Sequence, residues 1–196
     1  MGRWEPDASG RLRQAAMDLY VERGFDQTTV ADIANRAGLT SRTFFRYFAD
    51  KREVLFNGSE ALQDAMVAAL DGVPLGARPI RAVGVALDAA AEMLGERRDF
   101  ARRRQAAIDA NLELRERELS KLASLGDALA EGLRRRGVSE PDASLAAEAG
   151  VAVLRVAFSR WVADDETRDL GELMRESLTQ LGAVTSRTGG RRGATT

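Results

Sequence analysis

Residues 29–48 read TVADIANRAGLTSRTFFRYF, and this stretch decides the fold of the N-terminal part of the chain. Apolar residues recur at helical spacing on both sides of Ala37-Gly38-Leu39. A tight turn between two helices requires a positive φ, which glycine adopts without strain. Thr29, followed three residues later by Asp32, has the spacing of a capping box. The stretch therefore predicts two short helices joined as a helix-turn-helix.

The second of these helices, predicted over 40–48, carries more polar side chains than a buried helix needs. The apolar face that the two helices share is predicted from Val30, Ile33, Leu39, Phe44 and Phe48. The remaining positions of the second helix include Ser41, Arg42, Thr43, Arg46 and Tyr47, which are polar or amphipathic donors. An arginine can bind O6 and N7 of guanine with two hydrogen bonds, and Ser or Thr hydroxyls can contact bases or phosphates. This composition is typical of a helix that reads DNA.

A local excess of basic residues coincides with the second helix. The whole chain has a formal net charge of −1, from 29 basic and 30 acidic side chains. Between Arg36 and Arg52 there are five basic residues and one acidic residue, Asp50, so this segment carries +4 and the rest of the chain −5. A basic patch on a mildly acidic protein indicates a focused contact with DNA. Taken alone, the charge fits a solvated helix face equally well.

The composition excludes several classes of enzyme. The 196 residues include no cysteine and no histidine, so a Ser-His-Asp triad, a Cys-His dyad and a Cys or His zinc site are impossible. Only two lysines, Lys51 and Lys121, remain as amine nucleophiles. We therefore predict no enzymatic activity, no catalytic residue, no metal site and no cofactor. With no secretory signal and no long apolar run, we expect a cytoplasmic protein.

The rest of the chain favours helices, because its apolar residues keep helical spacing and no strand pattern is visible. The fold class is predicted as all-α with about nine helices. They are a first helix ended by Gly24 and helices at about 30–37, 40–48, 50–70, 80–94, 98–109, 111–135, 141–162 and 170–181. The tail 186–196 has nothing to pack and is predicted to be disordered.

The segment from Arg11 to Phe48, RLRQAAMDLYVERGFDQTTVADIANRAGLTSRTFFRYF, followed by Asp50 and Lys51, closely resembles the DNA-binding domain of the TetR family of repressors. The resemblance covers 11–56, and the 98–135 stretch is similar to the C-terminal domain type of mycofactocin-system regulators. The resemblance implies an N-terminal three-helix helix-turn-helix domain, 1–56. It also implies a helical ligand-binding and dimerisation domain, 57–185.

The resemblance implies DNA-binding roles for individual residues, with 40–48 as the recognition helix. They are Thr29, Thr40, Ser41, Arg42, Thr43, Phe45, Arg46, Tyr47 and Lys51. Thr29, Tyr47 and Lys51 fall on positions that contact phosphates in the family. Phe45 stands where the family usually has a tyrosine whose hydroxyl bonds a phosphate. Phenylalanine keeps the packing and loses that hydrogen bond, for which the neighbouring arginines can compensate.

The resemblance also implies a homodimer, and small or leucine side chains near the C-terminus fit an intermolecular four-helix bundle. The predicted interface residues are Ala146, Ala149, Gly150, Val153, Ala157, Leu170, Leu173, Met174, Leu178 and Leu181. The alternative is that both helices cover the core of their own subunit.

An effector pocket follows from the resemblance as well, and its lining is predicted from residues that are mostly apolar. The candidates are Met66, Leu87, Met93, Phe100, Ile108, Asn111, Leu112, Leu154, Phe158 and Trp161. Filling of the core is the other interpretation for most of them. The arginines at 97–98 and 102–104 fit a phosphate or coenzyme A site, but a solvated face paired with Asp99, Glu113 and Glu116 is preferred.

Taken together, the sequence predicts a dimeric TetR-like transcriptional regulator, a repressor that binds a palindromic DNA operator and is released by a small-molecule effector. The expected location is the nucleoid of a bacterial cell. The alternative is a helical adaptor, or a non-specific DNA-binding protein, without an effector. The operator and the class of effector stay open.

Overall fold

The computed structural model describes residues 7–163 and 165–186, and its regular elements within these ranges are helical. There are ten α-helices there, with a short 3-10 turn at Gly95–Arg97 before α7. The helices are α1 (Ala8–Arg23), α2 (Val30–Arg36), α3 (Ser41–Tyr47), α4 (Glu53–Phe56), α5 (Ser59–Asp71), α6 (Pro79–Leu94), α7 (Arg98–Asp109), α8 (Leu112–Arg135), α9 (Glu140–Trp161) and α10 (Leu170–Ser186). The all-α prediction is confirmed.

The predicted helix over 50–70 is two helices, which is why the described residues hold ten rather than about nine. The break lies at Asn57-Gly58, between α4 and α5. Gly58 has a φ of +115°, a backbone conformation that a continuous helix cannot pass through. At the other end Ser186 is the last residue of α10, and the rest of the predicted tail lies outside the described residues.

Contacts divide the chain into two compact units. The N-terminal unit comprises residues 7–60 together with 99–121, and the C-terminal unit comprises the described residues among 61–98 and 122–186. The N-terminal unit therefore contains α1 to α4, most of α7 and the start of α8. Its core side chains come from both sequence segments. The completely buried ones are Leu12, Ala16, Met17, Ile33, Phe44, Ile108 and Leu114.

The C-terminal unit is built on close packing of α6, α9 and α10. Gly150 of α9 lies so near α6 that a Cβ built on it would be 2.5 Å from Cγ1 of Val83. Gly84 of α6 in turn lies against Leu178 of α10. Glycines at these contacts allow the helix axes to approach closely. No helix in the described residues is long and apolar enough to cross a bilayer.

Candidate nucleic-acid interface

The turn between α2 and α3 is a Schellman motif, which ends α2 sharply. The N–H of Leu39 donates to the carbonyl of Ala34 at 2.8 Å, and the N–H of Gly38 donates to the carbonyl of Asn35 at 3.0 Å. Gly38 has a φ of +66°, in the left-handed region that this motif requires. Gly38 therefore has the positive φ that the sequence predicts for this turn.

A side chain from α1 holds the same turn in place. Nε of Arg11 donates to the carbonyl of Ala37 at 3.1 Å, and a second guanidinium nitrogen donates to the same oxygen. This carbonyl belongs to the C-cap of α2 and has lost its partner within the helix. Sequence reasoning did not identify Arg11 in this role, since the two residues are 26 positions apart and no local pattern connects them.

Both helices of the motif begin with a threonine cap. Oγ1 of Thr29 accepts from the N–H of Asp32, whose carboxylate accepts from the N–H of Thr29, so the predicted capping box is present. Oγ1 of Thr40 accepts from the N–H of Thr43 at 3.2 Å at the start of α3. Thr29 and Thr40 both have exposed side chains, so each caps a helix at the protein surface.

The two sides of α3 differ in character. Phe44 is completely buried and Phe48, just beyond the helix, is 4% exposed, so both anchor the helix to the core. Arg42, Phe45, Arg46 and Tyr47 are exposed, while Ser41 and Thr43 are half-buried. The helix therefore presents a short surface of two arginines and two aromatic rings. We call these four exposed side chains the α3 surface.

Two of the five basic residues between Arg36 and Arg52 are paired with carboxylates, which reduces the basic patch. Glu22 accepts two hydrogen bonds from Arg36, at 2.9 and 2.7 Å, and these lower the pKa of Glu22. Asp50 accepts from Arg52 at 2.6 Å, and this bond holds the pKa of Asp50 below its usual range. Glu22 lies outside the segment 36–52, so the net charge of +4 for that segment does not include the carboxylate that neutralises Arg36.

The two arginines of the α3 surface differ from Arg36 and Arg52. Within the described residues, no carboxylate lies within ion-pair distance of Arg42 or Arg46. A guanidinium nitrogen of Arg46 donates to the hydroxyl of Tyr47 at 3.0 Å, and its Cζ lies 4.9 Å from the centre of that ring. The stacking orders Arg46, and no carboxylate of residues 7–163 or 165–186 compensates its charge.

Lys51 has a structural role that the resemblance did not imply. Its Nζ donates to the carbonyls of Phe25 and Thr28, both at 2.9 Å, and lies 4.1 Å from the centre of the Phe25 ring. An ammonium group has three N–H donors, so two are used in joining Lys51 to the segment after α1. The hydroxyl of Tyr20 donates to the carbonyl of Lys51, and burial raises the pKa of that hydroxyl. A phosphate contact by Lys51 stays a prediction.

Two family models match the chain. Residues 12–57 match the one described as "Bacterial regulatory proteins, tetR family", and residues 77–186, more than half of the chain, match the one described as "MftR C-terminal domain". The chain belongs to the tetR family. The resemblance predicted from 11–56 is confirmed, and that of 98–135 to mycofactocin-system regulators extends over a longer segment.

Individual relatives agree with this membership of the tetR family. The HTH-type transcriptional regulator TcmR of Streptomyces glaucescens is 38% identical over 89 residues, which are 45% of this chain and 38% of TcmR. The match to this curated relative thus spans well under half of its length. FadR of Thermus thermophilus, solved with lauroyl-CoA, is 26% identical with a TM-score of 0.55, covering 96% of this chain and 98% of that one. FadR of Bacillus halodurans, 20% identical with a TM-score of 0.62 over 98% and 100%, shows the fold alone.

The predicted effector-pocket residues of this tetR-family chain are divided between its two units. Ile108 is completely buried in the core of the N-terminal unit, and Phe100 packs against that core. Asn111 caps α8 through the N–H of Leu114 and donates to Asp26 at 3.0 Å. Leu112 is 62% exposed. All four belong to the N-terminal unit, because the chain returns to that unit at 99–121.

The other six candidates lie in the C-terminal unit. Met66, Leu87, Leu154 and Trp161 are buried, Phe158 is half-buried, and Met93 is 45% exposed. The ring of Phe158 packs 5.7 Å from that of Trp161, measured between ring centres. The buried four form apolar core in the described structure.

Two of the arginines at 97–104, Arg98 and Arg104, bond groups other than the predicted acids Asp99, Glu113 and Glu116. Arg98 donates to the carbonyls of Trp161 and Ala163 at the end of α9. In the N-terminal unit, Arg104 donates to the carbonyl of Leu55 at 2.8 Å and pairs with Glu118 at 3.2 Å. Burial lowers the pKa of Arg104. Arg98 and Arg104 therefore stabilise the fold of their own units.

Seven of the ten predicted dimer residues are buried within one subunit. They are Ala146, Gly150, Val153, Ala157, Leu170, Leu173 and Met174. Of these, Gly150 lies against Val83 of α6, so at this position α9 packs within its own subunit. Ala149, Leu178 and Leu181 are half-buried. For the seven, the alternative of a core within the subunit describes the structure.

Proposed function

We propose that this tetR-family protein is a dimeric repressor that binds a palindromic operator on bacterial nucleoid DNA and is released by a small-molecule effector. The observation that carries the DNA-binding part is the α3 surface, where Arg42 and Arg46 are exposed without a carboxylate partner among the described residues. An unpaired guanidinium on a recognition helix is suited to guanine, because it donates two parallel hydrogen bonds to O6 and N7.

The proposal assigns α9 and α10 to the dimer interface, through their exposed sides. Leu145 is 70% exposed and Val156 is 49% exposed, and 11 residues are close to three turns, so the two share a face of α9. Ala149 and Ala152 lie between them on the same face and are half-buried. On α10, Val184 is 67% exposed. These apolar residues support a bundle of two helices from each subunit.

For the effector, we propose a long-chain acyl thioester of coenzyme A. The support is the similarity to FadR of Thermus thermophilus, which was solved with lauroyl-CoA. The apolar core of the C-terminal unit contains Met66, Leu87, Leu154 and Trp161, and the proposal requires this core to open for the acyl chain. The ligand can release DNA only by binding one arrangement of the protein better than the other.

Selection from random or genomic DNA with the full-length protein tests the DNA-binding part. We expect a palindromic site with half-sites about one helical turn apart, or a multiple of it. Arg42→Ala should weaken binding by about 5- to 150-fold and relax the preference at one base position. Arg81→Ala, which removes an exposed arginine of α6, is the matched control and should leave binding unchanged. Retention of all sequences alike would show a non-specific binder.

The mass of the protein in solution tests the dimer. We expect a dimer at micromolar concentration, and Leu145→Glu combined with Val156→Glu should shift the mass towards the monomer because it buries two carboxylates in an apolar face. Leu75→Glu, at a leucine that is 79% exposed and lies outside α9 and α10, is the control and should leave the mass unchanged. A monomeric wild-type protein would contradict the proposal.

Titration of the bound operator with lauroyl-CoA tests the effector. Release of DNA by lauroyl-CoA but not by free coenzyme A or free laurate is the expected result, since the proposal needs both parts of the ligand. A protein that binds its operator and ignores all three compounds would refute the acyl-CoA assignment and leave the repressor assignment standing.

A further inference from the structure

Phe45 is an exposed aromatic residue on a helix whose other phenylalanine is completely buried. Its side chain is 58% exposed, whereas Phe44 beside it is 0% exposed. The two rings are in an edge-to-face arrangement, with 5.5 Å between their centres and an angle of 84° between their planes. This contact is favourable for aromatic pairs and restrains the exposed ring. Phe45 therefore presents a fixed apolar surface to whatever α3 binds.

The neighbours of this ring on α3 are the two arginines of the α3 surface. Arg42 precedes Phe45 by three residues, so the two lie side by side on the helix, and Arg46 follows directly. Both guanidinium groups are exposed, and among the described residues neither has a carboxylate within ion-pair distance. An apolar ring beside two such groups matches a surface on which an apolar group borders hydrogen-bond acceptors.

The major groove of DNA contains one such surface. Guanine presents two acceptors, O6 and N7, and thymine presents a C5 methyl group, which apolar side chains contact. A phosphate offers nothing to Phe45, because the ring has no hydrogen-bond donor. We propose that Phe45 reads a thymine methyl group in each operator half-site, next to a guanine that Arg42 or Arg46 binds. This inference rests on the proposed DNA-binding function.

A contact with a thymine methyl group would explain why Phe45 stands where the family usually has a tyrosine. A tyrosine hydroxyl that bonds a phosphate strengthens binding to every sequence alike, because phosphate contacts carry no sequence information. A phenylalanine contact with a methyl group strengthens binding only where thymine is present. The substitution therefore exchanges general affinity for discrimination at one base position.

The experiment uses the full-length protein and the operator obtained by selection. Each thymine of a half-site is replaced in turn by deoxyuracil, which removes only the methyl group and keeps every hydrogen-bonding atom. For wild type, we expect one position at which the replacement weakens binding about fourfold, and about fifteenfold when both half-sites are changed. Phe45→Ala should bind thymine and uracil operators equally at that position.

Two measurements keep the result interpretable. Phe45→Ala loses the contact with Phe44 at a side chain that is 58% exposed, so it should melt within about 4 °C of wild type. Phe45→Leu, which retains an apolar contact, should retain discrimination between thymine and uracil. The inference is overturned if no replacement by uracil weakens wild-type binding, or if the effect is the same in wild type and Phe45→Ala. If the selection yields no operator at all, the proposed function itself fails, which is a separate outcome.

Discussion

Replacing Gly150 by alanine tests whether α9 uses its small residues inside one subunit. In an exposed position within a helix, alanine is about 1 kcal/mol more favourable than glycine. Here the new Cβ would lie 2.5 Å from Cγ1 of Val83, well inside the 3.5–4.0 Å at which carbon atoms attract. Overpacking of this kind costs about 1–3 kcal/mol. We therefore expect Gly150→Ala to lower the free energy of unfolding by about 0–2 kcal/mol.

The sign of the effect should change when Val83 is shortened. Val83→Ala alone should cost about 2 kcal/mol, because two buried methyl groups are lost. In that background the clash is absent, so adding Gly150→Ala should raise the free energy of unfolding by about 1 kcal/mol. The double-mutant cycle then has a coupling energy of about 1–3 kcal/mol.

Urea denaturation followed by circular dichroism, at one fixed protomer concentration, measures these free energies. Gly182→Ala on α10 is the control, because a Cβ there meets no atom within 4 Å and should be neutral or stabilising in both backgrounds. An equal destabilisation by Gly150→Ala with and without Val83→Ala would refute the reasoning. It would show that the glycine serves some contact other than that between α6 and α9.

Four further predictions follow from single contacts. Ile108→Ala should lower the free energy of unfolding by about 2–5 kcal/mol, whereas Leu112→Ala, at an exposed site four residues later, should be neutral in the same urea titration. Gly38→Ala should cost about 1–2 kcal/mol, because its φ of +66° strains alanine, and should weaken operator binding in gel shifts. Lys51→Met should cost about 1–3 kcal/mol in thermal melts, since two carbonyls lose their donor; an unchanged melting temperature would exclude the structural role. Hydrogen bonds from Arg168 lower the pKa of Glu166 from 4.5 to about 2. The contribution of Glu166 to stability should therefore be complete above pH 4.5 and decrease as the pH falls towards 2. NMR titration of the carboxyl carbon of Glu166 checks this.

The helix-turn-helix could be predicted from the sequence because its determinants are local. A capping box needs residues three apart, and a Schellman turn needs one glycine in the right place, so both signals lie within the stretch 29–48. The same holds for the buried face of α3, since Phe44 and Phe48 are one turn apart. Each of these features depends on residues that are within a few positions of one another in the sequence.

The rest could not be predicted because it depends on residues far apart in the chain. The pairing of Arg36 with Glu22 bridges 14 positions, and that of Lys51 with Phe25 bridges 26. Helical spacing also shows that Gly150 and Val153 share a face of α9, but it does not show what covers that face. The structure shows that both residues are buried inside the subunit.

The N-terminal unit is discontinuous in sequence, and this affects both its folding during synthesis and its transfer to another protein. Its first segment ends at residue 60, but the core also needs Ile108 and Leu114 from the second segment. During synthesis, the core around the helix-turn-helix can therefore be completed only after α7 and the start of α8 have left the ribosome. Until then some of its apolar side chains stay exposed to solvent. A fusion of the N-terminal unit to another effector domain must for the same reason include residues 99–121. A fragment that ends at residue 60 would lack part of its hydrophobic core.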